Sequence, residues 1–174
     1  MHILICCYGD LTNSVAAPIL PSHPSFFIKV SILSQSKNPT AAIIVIGDEI
    51  LSGRTKDKNI GWLAENMSAQ GIQLCEARVI ADNRQVIIDN VQTLSAAYDL
   101  VFTSGGIGPT HDDITTEAVA AAFNSPVIRH PEAERRLMEH YANTDLEFNA
   151  ARQKMADIPE TATLIDNPLS AAPG

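Results

Sequence analysis

No stretch of the chain is apolar for long enough to cross a bilayer. No purely apolar run is longer than Ala41–Ile46, whereas a spanning helix needs about 20 such residues. Basic side chains are also scarce: 12 Lys and Arg stand against 20 Asp and Glu, a net charge of −8. A general nucleic-acid binder needs a basic face to neutralise phosphates, so that class is excluded. Cysteine is sparse. Cys6 and Cys7 are adjacent and Cys75 stands alone, with no CxxC pair and no Cys/His spacing for structural zinc. An odd, small cysteine count fits a reducing compartment better than a disulfide scaffold, so a cytoplasmic protein is expected. Charged residues make up 18% and hydrophobic residues 45%. That balance excludes disorder of the whole chain and allows a buried core. The 174 residues correspond to about one domain.

The charge is unevenly placed. Residues 1–40 hold Asp10, Lys29 and Lys37 as their only charged side chains, together with Pro18, Pro21, Pro24 and Pro39. The acidity therefore belongs to residues 41–174. The first segment lacks the positive start and the unbroken apolar stretch of a secretion signal. It is expected to be an N-terminal extension, disordered or non-native, with residues 41–174 forming the domain.

From Ala41 onward strand and helix patterns alternate. Ala41–Gly47 is a β-branched run closed by glycine, as in a buried strand. Ile60, Leu63, Ala64 and Met67 fall at helical spacing, and Gly71 suits a helix end. Leu74–Ile80 predicts a second strand, and Val86, Ile87, Val91 and Leu94 a second helix. Asp99–Ser104 predicts a third strand, with a third helix from about Asp113 to Phe123. Two helical stretches follow, about Glu132–Ala142 and Glu147–Ala156, and Ala162–Ile165 predicts a last short strand. Alternation with short links implies a mostly parallel sheet covered on both faces, a three-layer α/β (αβα) fold.

Ligands of such sheets sit beyond the carboxyl ends of the strands. Three of those ends hold unusual residues. Asp48 and Glu49 follow the first strand, Asp82 the second, and Ser104-Gly105-Gly106-Ile107-Gly108-Pro109-Thr110-His111-Asp112-Asp113 the third. Clustered glycines let backbone N–H groups approach a ligand, and a following helix start adds a positive dipole end. Gly105, Gly106 and Gly108, stiffened by Pro109, are therefore candidates for a phosphate loop, with Ser104 and Thr110 as hydroxyl donors. A tight ligand-free turn is the competing account.

Asp112 and Asp113 beside a phosphate would repel it. A bridging Mg²⁺ or other divalent cation removes the conflict, because Mg²⁺ takes one or two carboxylates plus phosphate oxygens. Asp82, Asp112 and Asp113 are the candidate metal ligands. Asp113 equally suits a helix N-cap and Asp82 an Asx-turn. Asp48 and Glu49 suit either ligand hydrogen bonds or a cap. Asp57 and Asn59 suit caps, His111 an exposed loop position, Cys75 the core, and Trp62 packing or an interface. Ser104 has no His/Asp partner in sequence, which argues against a serine nucleophile. A dinucleotide-binding dehydrogenase fits poorly: the glycines follow the third strand of the core, and GGIGP is not GxGxxG.

GDEILSG (47–53) with Asp57 and Asn59, VIADN (79–83) and DLVFTSGGIGPTHDDIT (99–115) together resemble the molybdopterin-binding domain of the MoaB/Mog type. Within that group they are most similar to the N-terminal domain of CinA, the competence/damage-inducible protein, and its stand-alone relatives. The resemblance spans Ala41 to Gly174. It implies the αβα fold, commonly as a homo-oligomer. It implies molybdopterin or nucleotide phosphate held at Gly105, Gly106 and Gly108, and catalytic roles for Asp82 and Asp113. It implies metal-dependent cleavage of nucleotide pyrophosphates such as ADP-ribose. Adenylylation of molybdopterin in molybdenum-cofactor biosynthesis, or binding of a pterin or nucleotide without catalysis, are the other implied roles. Family members continue past the position of Gly174 into a further strand and ligand loop, so the domain is expected to lack its last part. The partner expected is thus a small pterin or nucleotide, with no nucleic acid and no membrane.

Overall fold

The computed structural model describes residues 3–7, 38–167 and 172–173, and of 3–7 the backbone alone. The backbone of Ile3–Cys7 forms β1. The chain then gives β2 (Thr40–Ile46), a short α1 (Asp48–Leu51), α2 (Asn59–Ala69), β3 (Gln73–Ile80), α3 (Arg84–Ala97), β4 (Leu100–Ser104) and α4 (Thr115–Ala122). β5 (Val127–Arg129), α5 (Pro131–Ala142), α6 (Ala150–Gln153), a 3₁₀ turn at Lys154–Ala156 and β6 (Asp157–Pro159) complete it.

The main sheet runs β1-β4-β2-β3. β2 pairs in parallel with both β3 and β4, and β1 pairs antiparallel with β4. β2 is central, and its residues Ala41–Ile46 are fully enclosed. Such a strand must be apolar on both faces, which is why its sequence runs without alternation. Ile43 and Val45 meet Leu63 and Met67 of α2 on one face. Ala42, Ile44 and Ile46 meet Ile87 and Val91 of α3 and Ala118 and Val119 of α4 on the other. The αβα layering expected from the alternating pattern is thus observed.

The two helices that follow β2 and β4 lie on opposite faces. The loops after these neighbouring strands therefore diverge and leave a crevice between them, the usual ligand position in an open α/β sheet.

A second, smaller core lies beside this sheet. Ala133 and Leu137 of α5 pack with Ala156 and Ile158, and Phe148, Met155, Ala162 and Leu164 border them. β5 and β6 pair antiparallel within this unit.

Several boundaries differ from expectation. Ala162–Ile165 is not a strand; its apolar residues Ala162 and Leu164 dock on the small core. The strand is Asp157–Pro159, selected because Ile158 pairs with Ile128. Strand formation here follows a tertiary partner rather than propensity. The helix expected from Glu147 begins at Ala150, because the Asn149 side chain accepts the Arg152 N–H at 3.1 Å. Cys75 is exposed rather than in the core, since β3 is the outermost strand and its alternate residues are left uncovered. β1 is an element that the reading of residues 1–40 as an extension did not include; residues 8–37 lie outside the described residues. No described helix is long and apolar enough to cross a membrane.

Candidate functional site

The crevice is built where three strands end. After β2, the Gly47 N–H donates to the Ile80 carbonyl at 3.1 Å, which joins the ends of β2 and β3. One residue on, the Asp48 N–H donates to Asp82 Oδ2 at 2.8 Å. Asp82 thus sits at the mouth of the crevice because α1 presents an N-terminal amide to it. Its neighbour Asn83 caps α3, accepting from Gln85 and Val86.

The acids of these loops act on one another. Burial raises the Asp82 carboxyl above its ordinary value; the Asp48 N–H opposes the shift, and the charges of Asp48, Glu49 and Asp112 add to it. Of the five acids expected to gather there, Asp48, Glu49 and Asp112 act on Asp82 through their charge, and Asp113 is turned to Thr110 instead. Asp112 goes the other way. The Thr110 side chain first, and its own backbone N–H next, hold its carboxyl below the usual range.

Asp113 is placed differently. It does not cap α4, whose N-cap is Ile114 with no side-chain cap bond. Its Oδ2 instead accepts the Thr110 N–H at 2.7 Å and the Thr110 hydroxyl, which closes a turn over 110–113. Thr110 is thus tied to Asp113 through both its amide and its hydroxyl. Among the described residues, no group of three His, Cys, Asp or Glu side chains is disposed to hold a metal. Asp82, Asp112 and Asp113 are not assembled as a ready-made ligand triad.

The glycines of the loop have structural reasons of their own. Gly105 has φ +106°, and a Cβ there would lie 1.9 Å from the Ile46 carbonyl oxygen. Only glycine permits β4 to turn off so close to β2. A Cβ on Gly108 would lie 2.7 Å from Asp113 Oδ2, so that carboxylate rests directly over the glycine backbone. The loop is closed onto α4 by the Thr115 N–H to the Gly106 carbonyl at 3.0 Å and the Thr115 hydroxyl to the Gly105 carbonyl at 2.8 Å. Among the described residues, the N–H groups of Gly106, Ile107 and Gly108 take no protein acceptor. Half-buried donors left open in this way are disposed to receive an anion.

Two side chains have roles the sequence did not reveal. Asn59 is not a cap; Asp57 caps α2, its Oδ1 accepting the Ile60 N–H at 3.0 Å. Asn59 instead crosses the crevice and donates to the buried Ser104 hydroxyl at 2.5 Å. Ser104 is therefore held by Asn59 beneath the loop, while Pro109 and Thr110 are exposed at its tip. Lys154, from the 3₁₀ turn of the small unit, donates from Nζ to the Asp113 carbonyl at 2.9 Å. It lines a cleft with Ile107, Gly108, Asp113, Thr116 and Ile158. Forty-one positions separate it from Asp113, so no local motif announces it.

Comparison with known proteins agrees with this architecture. The chain is 35% identical over 133 residues to a CinA-like protein of Prochlorococcus marinus, covering 76% of this chain and 31% of that one. It is 34% identical over 138 residues to a protein of Aeropyrum pernix, covering 79% of this chain and 52% of that one. The chain thus spans about a third to a half of the length of these curated relatives. Among solved structures, CinA of Thermoplasma acidophilum, a protein described as of unknown function, superposes with a TM-score of 0.72 at 33% identity, covering 80% of this chain and 81% of that chain. Residues 42–174 match the family described as "Probable molybdopterin binding domain", and the chain belongs to that family.

Proposed function

We propose that the chain binds the phosphate of a pterin or nucleotide at the 105–110 loop and cleaves a nucleotide pyrophosphate of the ADP-ribose type with a divalent cation. The observation that carries the reading is the set of N–H groups on Gly106, Ile107 and Gly108 that take no acceptor among the described residues, on a loop whose crevice side is edged by mutually repelling carboxylates. Membership of a family described by molybdopterin binding supports the pterin as a ligand.

The donor set suits a divalent cation. Asp82 is raised partly by the charges of Asp48, Glu49 and Asp112, a repulsion that a cation relieves. Asp82 and Asp112 would hold Mg²⁺, which requires only one or two protein carboxylates. Bound there, the cation would neutralise charge on the phosphoanhydride, the chief need of this chemistry. The protein's own groups do the rest. The loop N–H groups orient the phosphate, Asn59 fixes the Ser104 hydroxyl below it, and Asp113 holds the loop shape through Thr110.

A second reading, binding without catalysis, is favoured by one observation: no three ligating side chains are preassembled among the described residues. Incubation with ADP-ribose and Mg²⁺ or Co²⁺ separates the two. Release of AMP and ribose phosphate supports hydrolysis. Tight pterin binding by folded protein without turnover supports the binding module. A parallel incubation with molybdopterin and ATP tests adenylyl transfer, the remaining alternative.

A further inference from the structure

The electrostatic conflict at the loop has a counterpart within the protein. The other side of the loop faces the cleft against the small C-terminal unit, where the cation Lys154 stands among the acids Asp113, Glu117 and Asp157. Lys154 Nζ lies 2.9 Å from the Asp113 carbonyl, which it meets as a donor, and 3.4 Å from Glu117 Oε1. Its side chain is about a third exposed, at 31%, and Glu117 half exposed, at 50%. An ammonium group has three protons. Two are directed to these oxygens, which leaves one for a ligand in the cleft.

We propose that Lys154 is the chain's own counter-cation for an anionic ligand group, contacting a phosphate seated beside Gly108 at the start of α4. Three features converge on that position. The open N–H groups of Ile107 and Gly108 belong to the cleft wall. α4 begins there without a side-chain cap bond, and the acid in its first turn is Glu117, so the group facing the positive end of its dipole is the same carboxylate that a phosphate at Lys154 would displace. Lys154 adds a full charge carried by a separate structural unit, anchored by the Asn149-capped turn before it. The ion pair with Glu117 is solvent-exposed and weak, so an incoming phosphate, with more charge and more acceptor oxygens, displaces it. The ligand class follows: an anion with at least two adjacent charged groups, one at the loop N–H groups and one at Lys154, as in a diphosphate. Part of the binding is then independent of metal.

This inference rests on the reading of the 105–110 loop as an anion site, and deepens it. The test uses the full chain in metal-stripped buffer, with inorganic pyrophosphate as probe, followed by calorimetry and amide shifts. Wild-type protein is expected to bind, with Gly106 and Gly108 among the shifted amides. Lys154→Gln is expected to weaken binding about fivefold or more, Lys154→Arg to restore most of it, and Glu117→Gln to tighten it about twofold or more, at unchanged Tm for the last. A purely structural Lys154 would lower Tm in Lys154→Gln while leaving the pyrophosphate affinity of the folded protein unchanged, because Glu117→Gln alone favours an anion in this cleft whatever Lys154 does. Unchanged affinity in Lys154→Gln overturns the assignment of Lys154 and leaves the loop reading standing. No pyrophosphate binding by wild type overturns the inference, while metal-dependent turnover of ADP-ribose remains a separate measurement.

Discussion

The carboxylate of Asp82, at the end of one strand, accepts the backbone N–H of Asp48, the first residue of the helix after its neighbour strand, at 2.8 Å. That bond joins two of the three loops that form the crevice. Asp82 is thereby both a structural tie and a group raised in pKa, first by burial. A raised carboxyl favours the protonated form in the folded state. Its contribution to stability is therefore greatest below the ordinary value of 3.8 and is lost as pH rises through the raised value. At neutral pH the charged Asp82 works against folding. Asp82→Asn, whose amide oxygen still accepts the Asp48 N–H, is expected to raise Tm by about 1–3 °C in metal-free buffer at pH 7. The same variant is expected to lose the proposed turnover. A thermal melt of Asp82→Asn lower than wild type at pH 7 would contradict this account of its environment.

Gly105 and Gly108 are expected to respond differently to alanine. A Cβ on Gly105 meets the Ile46 carbonyl oxygen at 1.9 Å, in a φ of +106°. Gly105→Ala is expected to destabilise the fold by about 3 kcal/mol or more. A Cβ on Gly108 meets the Asp113 carboxylate at 2.7 Å, which a small side-chain movement relieves. Gly108→Ala is expected to fold with a Tm close to wild type and to bind phosphate poorly. Denaturant melts with pyrophosphate titration check both; equal destabilisation by the two would contradict the distinction.

Asn59 and Ser104 form a pair that links α2 to the end of β4. Ser104 is 4% exposed, so truncating its partner strands a buried hydroxyl. Asn59→Ala is expected to cost about 1–2 kcal/mol, and the double variant Asn59→Ala/Ser104→Ala less than the sum of the singles. A double-mutant cycle measures this, and strict additivity would show that the bond contributes nothing.

Much of this was legible from residue pattern. The parallel half of the fold was legible because β2 is apolar at every position from Ala41 to Ile46 and the helices beside it repeat at helical spacing; both signals are local. The glycine-rich turn after β4 was legible for the same reason, with Gly105, Gly106 and Gly108 within four positions. The β5–β6 pair was not, because Val127–Arg129 and Asp157–Pro159 are too short to carry a period and become strands only in contact. Asn59 and Asp57 shared the signature of caps, and only the structure separates the one that caps α2 from the one that crosses to Ser104. Lys154 was silent because its partner is a backbone carbonyl far along the chain.

The small unit has an acid-sensitive tie of its own. Glu132 is hydrogen-bonded by Arg135 and Arg136, which lower its pKa from 4.5 to about 2. A depressed carboxyl adds stability that is present above 4.5 and is lost as pH falls through about 2. Glu132→Gln is expected to flatten the fall of Tm between those values, with a small amplitude because the groups face solvent. Melts of both proteins across pH 2–6 check it; parallel curves would contradict the role of Glu132.

Asp113 closes the 110–113 turn through the Thr110 amide and hydroxyl. Asn at that position retains an oxygen for both. Asp113→Asn is therefore expected to keep the fold and the loop while lowering turnover about tenfold to a hundredfold through loss of charge beside the substrate. Circular dichroism and steady-state rates check the two halves of that statement, and a normal rate would remove Asp113 from the reaction.

The central claim is that the loop and the acidic edge together support cation-dependent cleavage of a phosphoanhydride. The most direct measurement is the rate of AMP release from ADP-ribose by wild type with Mg²⁺, by wild type in chelator, and by Asp82→Asn with Mg²⁺. The account predicts release in the first case, a return to it when Mg²⁺ is restored after chelation, and loss of most of it in Asp82→Asn despite a fold at least as stable. No release by folded wild type with Mg²⁺ or Co²⁺, or an equal rate in Asp82→Asn, would contradict it.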